Sequence, residues 1–97
     1  MNVKIRVKIN EKKDSNIKAY VGVTFDECFV VNGLKVVDGK KGLFVAYPSY
    51  KASDGTYKDI AYPLDKAYRA ILTKAIISKY EKEIDNHKET DSNHSFE

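Results

Sequence analysis

The feature that most constrains the fold is a strict alternation of β-branched and basic residues near the start of the chain. Its seven positions are Val3, Lys4, Ile5, Arg6, Val7, Lys8 and Ile9. Because successive residues of a strand point to opposite faces, this period predicts a strand with one buried face and one entirely basic face. After the polar stretch 10–16, a second, antiparallel strand is predicted by the alternation of Ile17, Ala19, Val21, Val23 and Phe25.

The next segment contains two turn signals. Asp26-Glu27 fits a tight turn after the second strand, and Asn32-Gly33 separates two further apolar runs. Because Asn-Gly is the strongest short hairpin signal, the local pattern favours a hairpin at this pair. One long strand, bulged or bent at Gly33, is the alternative.

The segment before the helix is rich in turns and tyrosines. Residues 38–42 (DGKKG) predict a hairpin turn into a strand over residues 43–46, which Pro48 ends. Residues 47–62 then predict a polar, Tyr-rich loop, with residues 57–61 as an optional short edge strand.

The clearest helix signal follows Pro63 and runs from Leu64 or Asp65 to Ile84. Apolar residues spaced three and four apart form a first stripe of Leu64, Ala67, Tyr68, Ile71, Leu72, Ala75 and Ile76. At about 100° per residue, a second stripe of Ile77, Tyr80 and Ile84 lies nearly opposite. A helix that is apolar on two sides usually buries both. We therefore expect the second stripe at a homodimer interface, with a kinked helix end folding over its own sheet edge as the alternative.

Together these elements predict an α+β fold, in which a small antiparallel sheet of four to five strands is followed by one C-terminal helix, in a dimer. The domain is expected over residues 1–84. Residues 85–97 are polar and unpatterned and predict a disordered acidic tail.

Cysteine usage and hydropathy indicate a cellular compartment. Cys28 is the only cysteine, so an internal disulfide framework is excluded and a reducing environment is expected. The position of Cys28 in an apolar run predicts an inert core thiol. No run of 18 apolar residues is present, and the start of the chain does not resemble a signal peptide. We therefore expect a cytoplasmic protein without a membrane span.

The net charge of +3 conceals a marked asymmetry. Residues 1–80 hold 15 Lys/Arg and 8 Asp/Glu, a balance of +7, whereas residues 81–97 hold 2 Lys/Arg and 6 Asp/Glu, a balance of −4. A basic body with an acidic tail suggests nucleic acid as a partner. The tail itself is either a solubility device or a competitor for the basic surface.

The sequence offers little for catalysis. His87 and His94 lie in the predicted tail, where nothing would position an imidazole. The glycines form neither a dinucleotide-binding nor a phosphate-cradling motif. The spacing of Asp54, Asp59 and Asp65 does not match a calcium loop. We therefore expect no enzyme, no cofactor and no metal site.

Basic residues interleaved with tyrosines are the chemistry that remains. Lysine and arginine can contact phosphates while tyrosine rings stack on unpaired bases. The candidate phosphate contacts are Lys51, Lys58, Lys66, Arg69 and Lys74, and the candidate stacking residues are Tyr50 and Tyr57. Free backbone amides near Leu64–Ala67 could add a phosphate site, but Asp65 fits better as a capping carboxylate. The alternative is that the tyrosines pack over a thin core and the lysines keep the surface hydrated.

The middle of the chain resembles the SpoVG family of septation proteins (stage V sporulation protein G). The two most specific blocks are GLFVA-x-PS at residues 42–49 and KDIA-x-P at residues 58–63. Further matching positions are Asp26, Phe29-Val30, Val37-Asp38-Gly39 and Asp54-Gly55. The resemblance implies a small antiparallel sheet with a C-terminal helix in a dimer, and regulators of septation and sporulation that bind DNA or RNA through basic residues of the loop and helix.

Three departures from the family pattern bear on these implications. Relatives lack a turn pair at Asn32-Gly33, so the resemblance favours one long bent strand there. The basic residues after Pro-Ser are reduced to Tyr50-Lys51, which removes one charge. Tyr62 and Tyr47 replace a usual His and Met, and the added rings suggest a shift towards single strands.

The function predicted from the sequence is therefore a cytoplasmic bacterial regulator that binds nucleic acid through a basic, Tyr-rich loop and helix face. The alternative is a septation factor that acts through contacts with septation-protein partners, without nucleic acid. Phosphate contacts weaken steeply with salt, whereas apolar protein docking changes little, so salt dependence separates the two.

Overall fold

The computed structural model describes the backbone of residues 2–95 and the side chains of residues 2–86. The elements are β1 (Val3–Ile9), β2 (Ile17–Phe25), β3 (Phe29–Gly39), β4 (Gly42–Ala46), β5 (Ser49–Lys51), β6 (Tyr57–Asp59) and α1 (Lys66–Ser95). Strands β1 to β4 form an antiparallel sheet in chain order, and β5 pairs with β6 in a second, two-stranded sheet. The predicted α+β fold with one C-terminal helix is confirmed.

The alternation in the first two strands has the predicted structural effect. β1 pairs antiparallel with β2 from Val3 opposite Phe25 to Ile9 opposite Ala19. The apolar residues of β1 are half-buried and its three basic residues are exposed. The sheet is therefore amphipathic at this edge, with its basic side turned away from the core.

β3 is a single strand, so the hairpin that the local pattern favours at Asn32-Gly33 is wrong and the long bent strand is confirmed. The chain has already reversed at Asp26 and Glu27, both with positive φ (50° and 58°), and β3 then pairs along the whole of β2. Asn32 and Gly33 form an irregularity where the pairing shifts register, and Gly33 has φ of 90°. A hairpin here would leave the first half of β2 without a partner on this side.

The core lies between one face of the four-stranded sheet and α1. Its buried residues come from the inward positions of β2, β3 and β4, from Tyr47 and from the helix: Ala19, Val21, Val23, Leu34, Val36, Val45, Tyr47, Leu72 and Ile76. Half-buried residues of β1 pack against this cluster. The helix therefore covers one sheet face only.

The helix begins as predicted but presents a different row to the sheet. Leu72 and Ile76 are buried and Tyr68 and Tyr80 pack beside them, so the contact row follows i, i+4 spacing. Ile71, placed in the same stripe from the sequence, is 66% exposed. The side of the helix that faces the sheet lies between the two predicted stripes. Each stripe is therefore only partly buried.

The second stripe, which the sequence predicts at a homodimer interface, is partly buried within the chain itself. Ile77 and Tyr80 pack against the chain's own core, and Ile84 is half-buried. Burial, followed by the nearby carboxylates of Asp38 and Glu81, raises the pKa of the Tyr80 phenol. The dimer, and the place of these three side chains at its interface, stay predictions.

The predicted helix end near Ile84 is wrong, because α1 continues to Ser95. The helical backbone thus includes residues 85–95, and the disorder expected for the tail stays a prediction. The division of the chain at residue 84 stays a prediction, and the tail side chains after Asn86 lie outside the described residues. Over the part of the chain that the structure describes, no helix is long and apolar enough to cross a membrane.

Candidate nucleic-acid interface

The Tyr-rich segment forms a β-hairpin in which each lysine pairs with a tyrosine. Tyr50 lies opposite Lys58, and Lys51 lies opposite Tyr57. Because directly paired residues share a face, each face of the hairpin presents one ring and one ammonium group. All four side chains are exposed. The predicted loop is therefore an ordered element, with its optional edge strand present at Tyr57–Asp59.

Local hydrogen bonds fix the hairpin at both ends. At the turn, the amide and hydroxyl of Thr56 donate to Asp54 Oδ1 (3.0 and 2.7 Å). These two bonds lower the pKa of the Asp54 carboxyl, so they are fully formed near neutral pH and weaken as pH falls through that pKa. At the base, the Ile60 amide donates to the Pro48 carbonyl (2.6 Å). A preformed hairpin loses less conformational entropy on binding than a loop would.

The start of α1 is capped by Asp65. Its Oδ2 accepts a hydrogen bond from the Tyr68 amide (2.9 Å), and its carbonyl accepts one from the Arg69 amide (2.9 Å). The predicted capping role of Asp65 is confirmed. The Asp65 carboxylate accepts the hydrogen bond of the Tyr68 amide, which a phosphate at the helix N-terminus would otherwise use. Lys66 therefore lies beside a helix start that is already capped.

Arg69 connects the helix to the end of the sheet. Its guanidinium carbon lies 4.8 Å from the centre of the Tyr47 ring, within cation–π range. The Tyr47 hydroxyl is hydrogen-bonded to Thr73 Oγ1 (3.0 Å). The ring of Tyr47 is buried, whereas Arg69 is exposed and so can still meet a phosphate.

Sequence reasoning grouped Tyr47 with the loop tyrosines and missed its role in the core. The signal was present, because Leu43, Val45 and Tyr47 continue the alternation of β4. The contact between Tyr47 and Arg69 had no such signal, because it joins residues 22 positions apart.

Lys74 is exposed but separate from Arg69. Five residues along a helix correspond to a rotation of about 140°, so the two cations point in different directions. Arg69 lies over the Tyr47 ring, and Lys74 lies on the side away from the sheet. The structure therefore associates Arg69 with the sheet end and leaves Lys74 apart from it.

Cys28 and the two histidines were also considered as reactive groups or metal ligands. Cys28 is exposed in the turn after β2, so its predicted place in the core is wrong. The reason is that residues 26–28 belong to the turn that leads into β3 and not to the strand itself. Among the described side chains, no three His, Cys, Asp or Glu residues come together as a metal site. The side chains of His87 and His94 are not among those described.

Comparison with known proteins identifies the family. The family model SpoVG matches residues 1–82. The chain belongs to the SpoVG family. Among curated relatives, a protein of Bdellovibrio bacteriovorus is 48% identical over 84 residues, which are 87% of this chain and 78% of the relative. One of Agathobacter rectalis is 48% identical over 75 residues, covering 77% and 86%, and one of Phytoplasma australiense is 40% identical over 85 residues, covering 88% and 85%. All three are named "Putative septation protein SpoVG".

The SpoVG match includes every strand described above and the helix up to Lys82. The hairpin, Asp65 and Arg69 therefore belong to the family domain. The match ends before most of the acidic segment.

Substitution of Asp65 should separate capping from charge. Asp65→Ala removes the acceptor for the Tyr68 amide and is expected to cost about 1 kcal/mol of folding free energy. Asp65→Asn keeps a good capping side chain, so its stability should stay within about 0.5 kcal/mol of the original. Urea unfolding followed by circular dichroism measures both. Equal destabilisation by the two substitutions would contradict the capping role.

Proposed function

We propose that the chain is a bacterial regulator of septation or sporulation that binds nucleic acid through the β5–β6 hairpin and the start of α1. The observation that carries this proposal is the ordered hairpin with a tyrosine and a lysine on each face. The names of the relatives support the septation part of the proposal. Membership of the SpoVG family favours a binding protein over an enzyme.

The proposed contacts with nucleic acid follow from the chemistry of the side chains. Lys51, Lys58, Lys66 and Arg69 would contact phosphates as flexible cations near the joint between hairpin and helix. Tyr50 and Tyr57 would stack on bases whose faces are free. Lys74 would contact phosphate only on a ligand long enough to pass around the helix.

Fluorescence anisotropy with labelled duplex DNA, single-stranded DNA and RNA tests this proposal. Binding that weakens as salt is raised is expected for all three, and the rings should favour the two single strands. Equal affinity for duplex and single strands would contradict stacking by the tyrosines. Absence of binding to any of the three at low salt would overturn the proposal.

The edge of the main sheet supports the alternative function. β1 forms one edge of the sheet, and its seven residues leave a row of backbone groups that a partner strand could pair with. A septation factor of this kind would bind septation-protein partners with little dependence on salt. A pull-down that retains the same partners after nuclease treatment and in high salt would favour this alternative.

We propose that the chain is a homodimer, as the resemblance implies, but with its contact near the start of α1. Part of the surface of the second stripe is buried within its own subunit, at Ile77, Tyr80 and Ile84. The most exposed large apolar residues near the helix start are instead Leu64 (91% exposed), Ile71, Ile60 and Tyr62. Burying such residues is the usual driving force for association of a small domain.

Ile71→Glu should therefore convert the dimer to a monomer without unfolding it. The charge would be desolvated at the contact but exposed in the monomer, so the loss of association should exceed tenfold. Sedimentation velocity measures the change. Ala70→Glu, also exposed on the helix, serves as the control and should remain dimeric. A monomeric parent chain, or a dimeric Ile71→Glu variant, would contradict this contact.

We also propose that the acidic segment 85–97 competes with nucleic acid for the basic surface. Removal of this segment takes away a net charge of −3 and should reduce this competition. A chain ending at residue 84 should then bind duplex DNA several-fold more tightly at low salt, measured by anisotropy. Unchanged affinity in the shortened chain would leave the segment as a solubility device.

A further inference from the structure

The sheet face opposite α1 carries basic and aromatic side chains in register across the strands. The longest row runs from Lys8 on β1 through Tyr20 on β2 and Lys35 on β3 to Ala46 on β4. Directly paired residues point to the same side of a sheet, so these four share one face. We call this surface the open face, defined by this row and the neighbouring rows that start at Arg6 and Lys4.

Tyr20 lies at the centre of the open face between two cations. Its side chain is 44% exposed. Lys8 on β1 and Lys35 on β3 are its direct partners on the two adjacent strands, whose backbones lie about 4.8 Å away on either side. The phenol ring thus has free surface to stack on and an ammonium group on each flank. A tyrosine serving only as core packing would lie on the side covered by the helix.

Beside Tyr20 the open face has a depression that depends on a glycine. Gly22 lies opposite Arg6, and a Cβ at position 22 would lie 2.6 Å from Asn32 Oδ1 and 3.4 Å from Arg6 Nη2. The missing side chain lets the Asn32 amide and the Arg6 guanidinium approach each other across β2. The resulting depression of about 280 Å³ is also lined by Lys8 and Tyr20.

The rows of the open face are basic, and Glu11 lies beside Lys8 and Tyr20 at the margin of this face. None of the residues on its rows is acidic, and the rows contribute Arg6, Lys8 and Lys35 in addition to Lys4. Lys4, at the end of the face, forms an ion pair with Glu27 (3.2 Å) in the turn. The three cations near Tyr20 therefore complement a polyanion.

We propose that the open face binds single-stranded nucleic acid. Tyr20 stacks on an unpaired base, the Asn32 amide hydrogen-bonds a base edge at the depression, and Arg6, Lys8 and Lys35 contact the flanking phosphates. A duplex cannot use this site fully, because its bases are stacked on one another and offer no free face to Tyr20. The inference extends the proposed function to a second surface and does not depend on the hairpin.

The test compares two triple variants with equal loss of charge. Arg6→Gln/Lys8→Gln/Lys35→Gln removes the cations of the open face, and Lys13→Gln/Lys40→Gln/Lys41→Gln removes three lysines from turns outside it. A third variant, Tyr20→Leu, removes the ring but keeps an apolar strand residue. Circular dichroism first verifies that each variant is folded. Anisotropy then measures the affinity for a labelled oligothymidylate, an oligouridylate and a DNA duplex over a series of salt concentrations.

Loss of the open-face cations should weaken binding to both single strands. The slope of log binding constant against log salt concentration should decrease in magnitude by about 2, since each phosphate contact to a single strand contributes about 0.7. Tyr20→Leu should weaken single-strand binding on the order of tenfold. The turn variant should bind nearly as the parent chain does. Comparison of the oligothymidylate with the oligouridylate shows which kind of strand the face prefers.

A Lys51→Gln/Lys58→Gln variant separates this inference from the proposed function. If that variant loses duplex binding while the open-face and Tyr20 variants bind single strands normally, the inference is overturned and the hairpin function stands. If the open-face variants alone lose single-strand binding, the inference stands whatever the hairpin does. Equal loss in the open-face and turn variants would also overturn it, because general charge would then suffice.

Discussion

Ile76→Ala is expected to cost about 2–5 kcal/mol of folding free energy, a large part of the total stability of a small domain. Ile76 has 0% exposure and lies at the centre of the contact between α1 and the sheet. Truncation removes apolar contacts and leaves a cavity that a small domain has few neighbouring side chains to fill. Urea unfolding followed by circular dichroism measures the loss.

Ile71→Ala is the matched control on the same helix. Ile71 is 66% exposed, so the substitution removes little buried surface and introduces a better helix former. Its stability should stay within about 0.5 kcal/mol of the original, measured at a concentration where the parent chain is monomeric. A loss of similar size in the two variants would contradict the position of the helix on the sheet.

The second large effect is expected from removal of the four cations at the hairpin and helix start. Lys51→Gln/Lys58→Gln/Lys66→Gln/Arg69→Gln should weaken duplex binding on the order of 10³-fold at about 0.1 M salt if all four contact phosphates. Glutamine keeps much of the side-chain length, so the loss reflects charge. Anisotropy with a DNA duplex measures the change.

Two controls accompany this variant. Lys12→Gln/Lys13→Gln/Lys40→Gln/Lys41→Gln removes the same charge from loops and turns and should weaken binding far less. Loss of the Arg69 contact with the Tyr47 ring is expected to cost about 0.5–1 kcal/mol of stability, so thermal unfolding verifies that the four-cation variant is folded. Equal weakening in both variants would mean that net charge, not the hairpin, determines affinity.

The strands could be predicted well because each has a period-two pattern that local sterics and one-sided burial impose. β1 and β2 match their predicted bounds. The local pattern favoured a hairpin at Asn32-Gly33, and this was wrong. The turn preference of the pair was outweighed by the continued pairing of β3 with β2, which a short window of sequence does not reveal. The family resemblance supplied that long-range information.

The helix was predicted less well because its apolar residues cover more than half of its circumference. Periodicity then does not determine which row meets the sheet, and only tertiary packing placed Leu72 and Ile76 inward and Ile71 outward. The helix also continues past Ile84, where the apolar signal ends. Polar residues can be helical without an apolar stripe, so the end of a stripe does not mark the end of a helix.

The candidate interface was predicted as a set of residue types but not as a shape. Lysines and tyrosines in one segment indicated nucleic-acid chemistry, whereas the pairing of Tyr50 with Lys58 and of Lys51 with Tyr57 depends on the turn at residues 52–56. The basic side of β1 was visible in the sequence. Its alignment with Tyr20 and Lys35 required the register of three strands.

The most direct test of nucleic-acid binding through the hairpin and helix start is the salt dependence of affinity for a DNA duplex. Four phosphate contacts predict a plot of log binding constant against log salt concentration with a slope of about −3.6, and this slope should become much shallower in the four-cation variant. A parent chain that does not bind the duplex at low salt, or whose slope is unchanged by the four substitutions, would contradict the proposed interface.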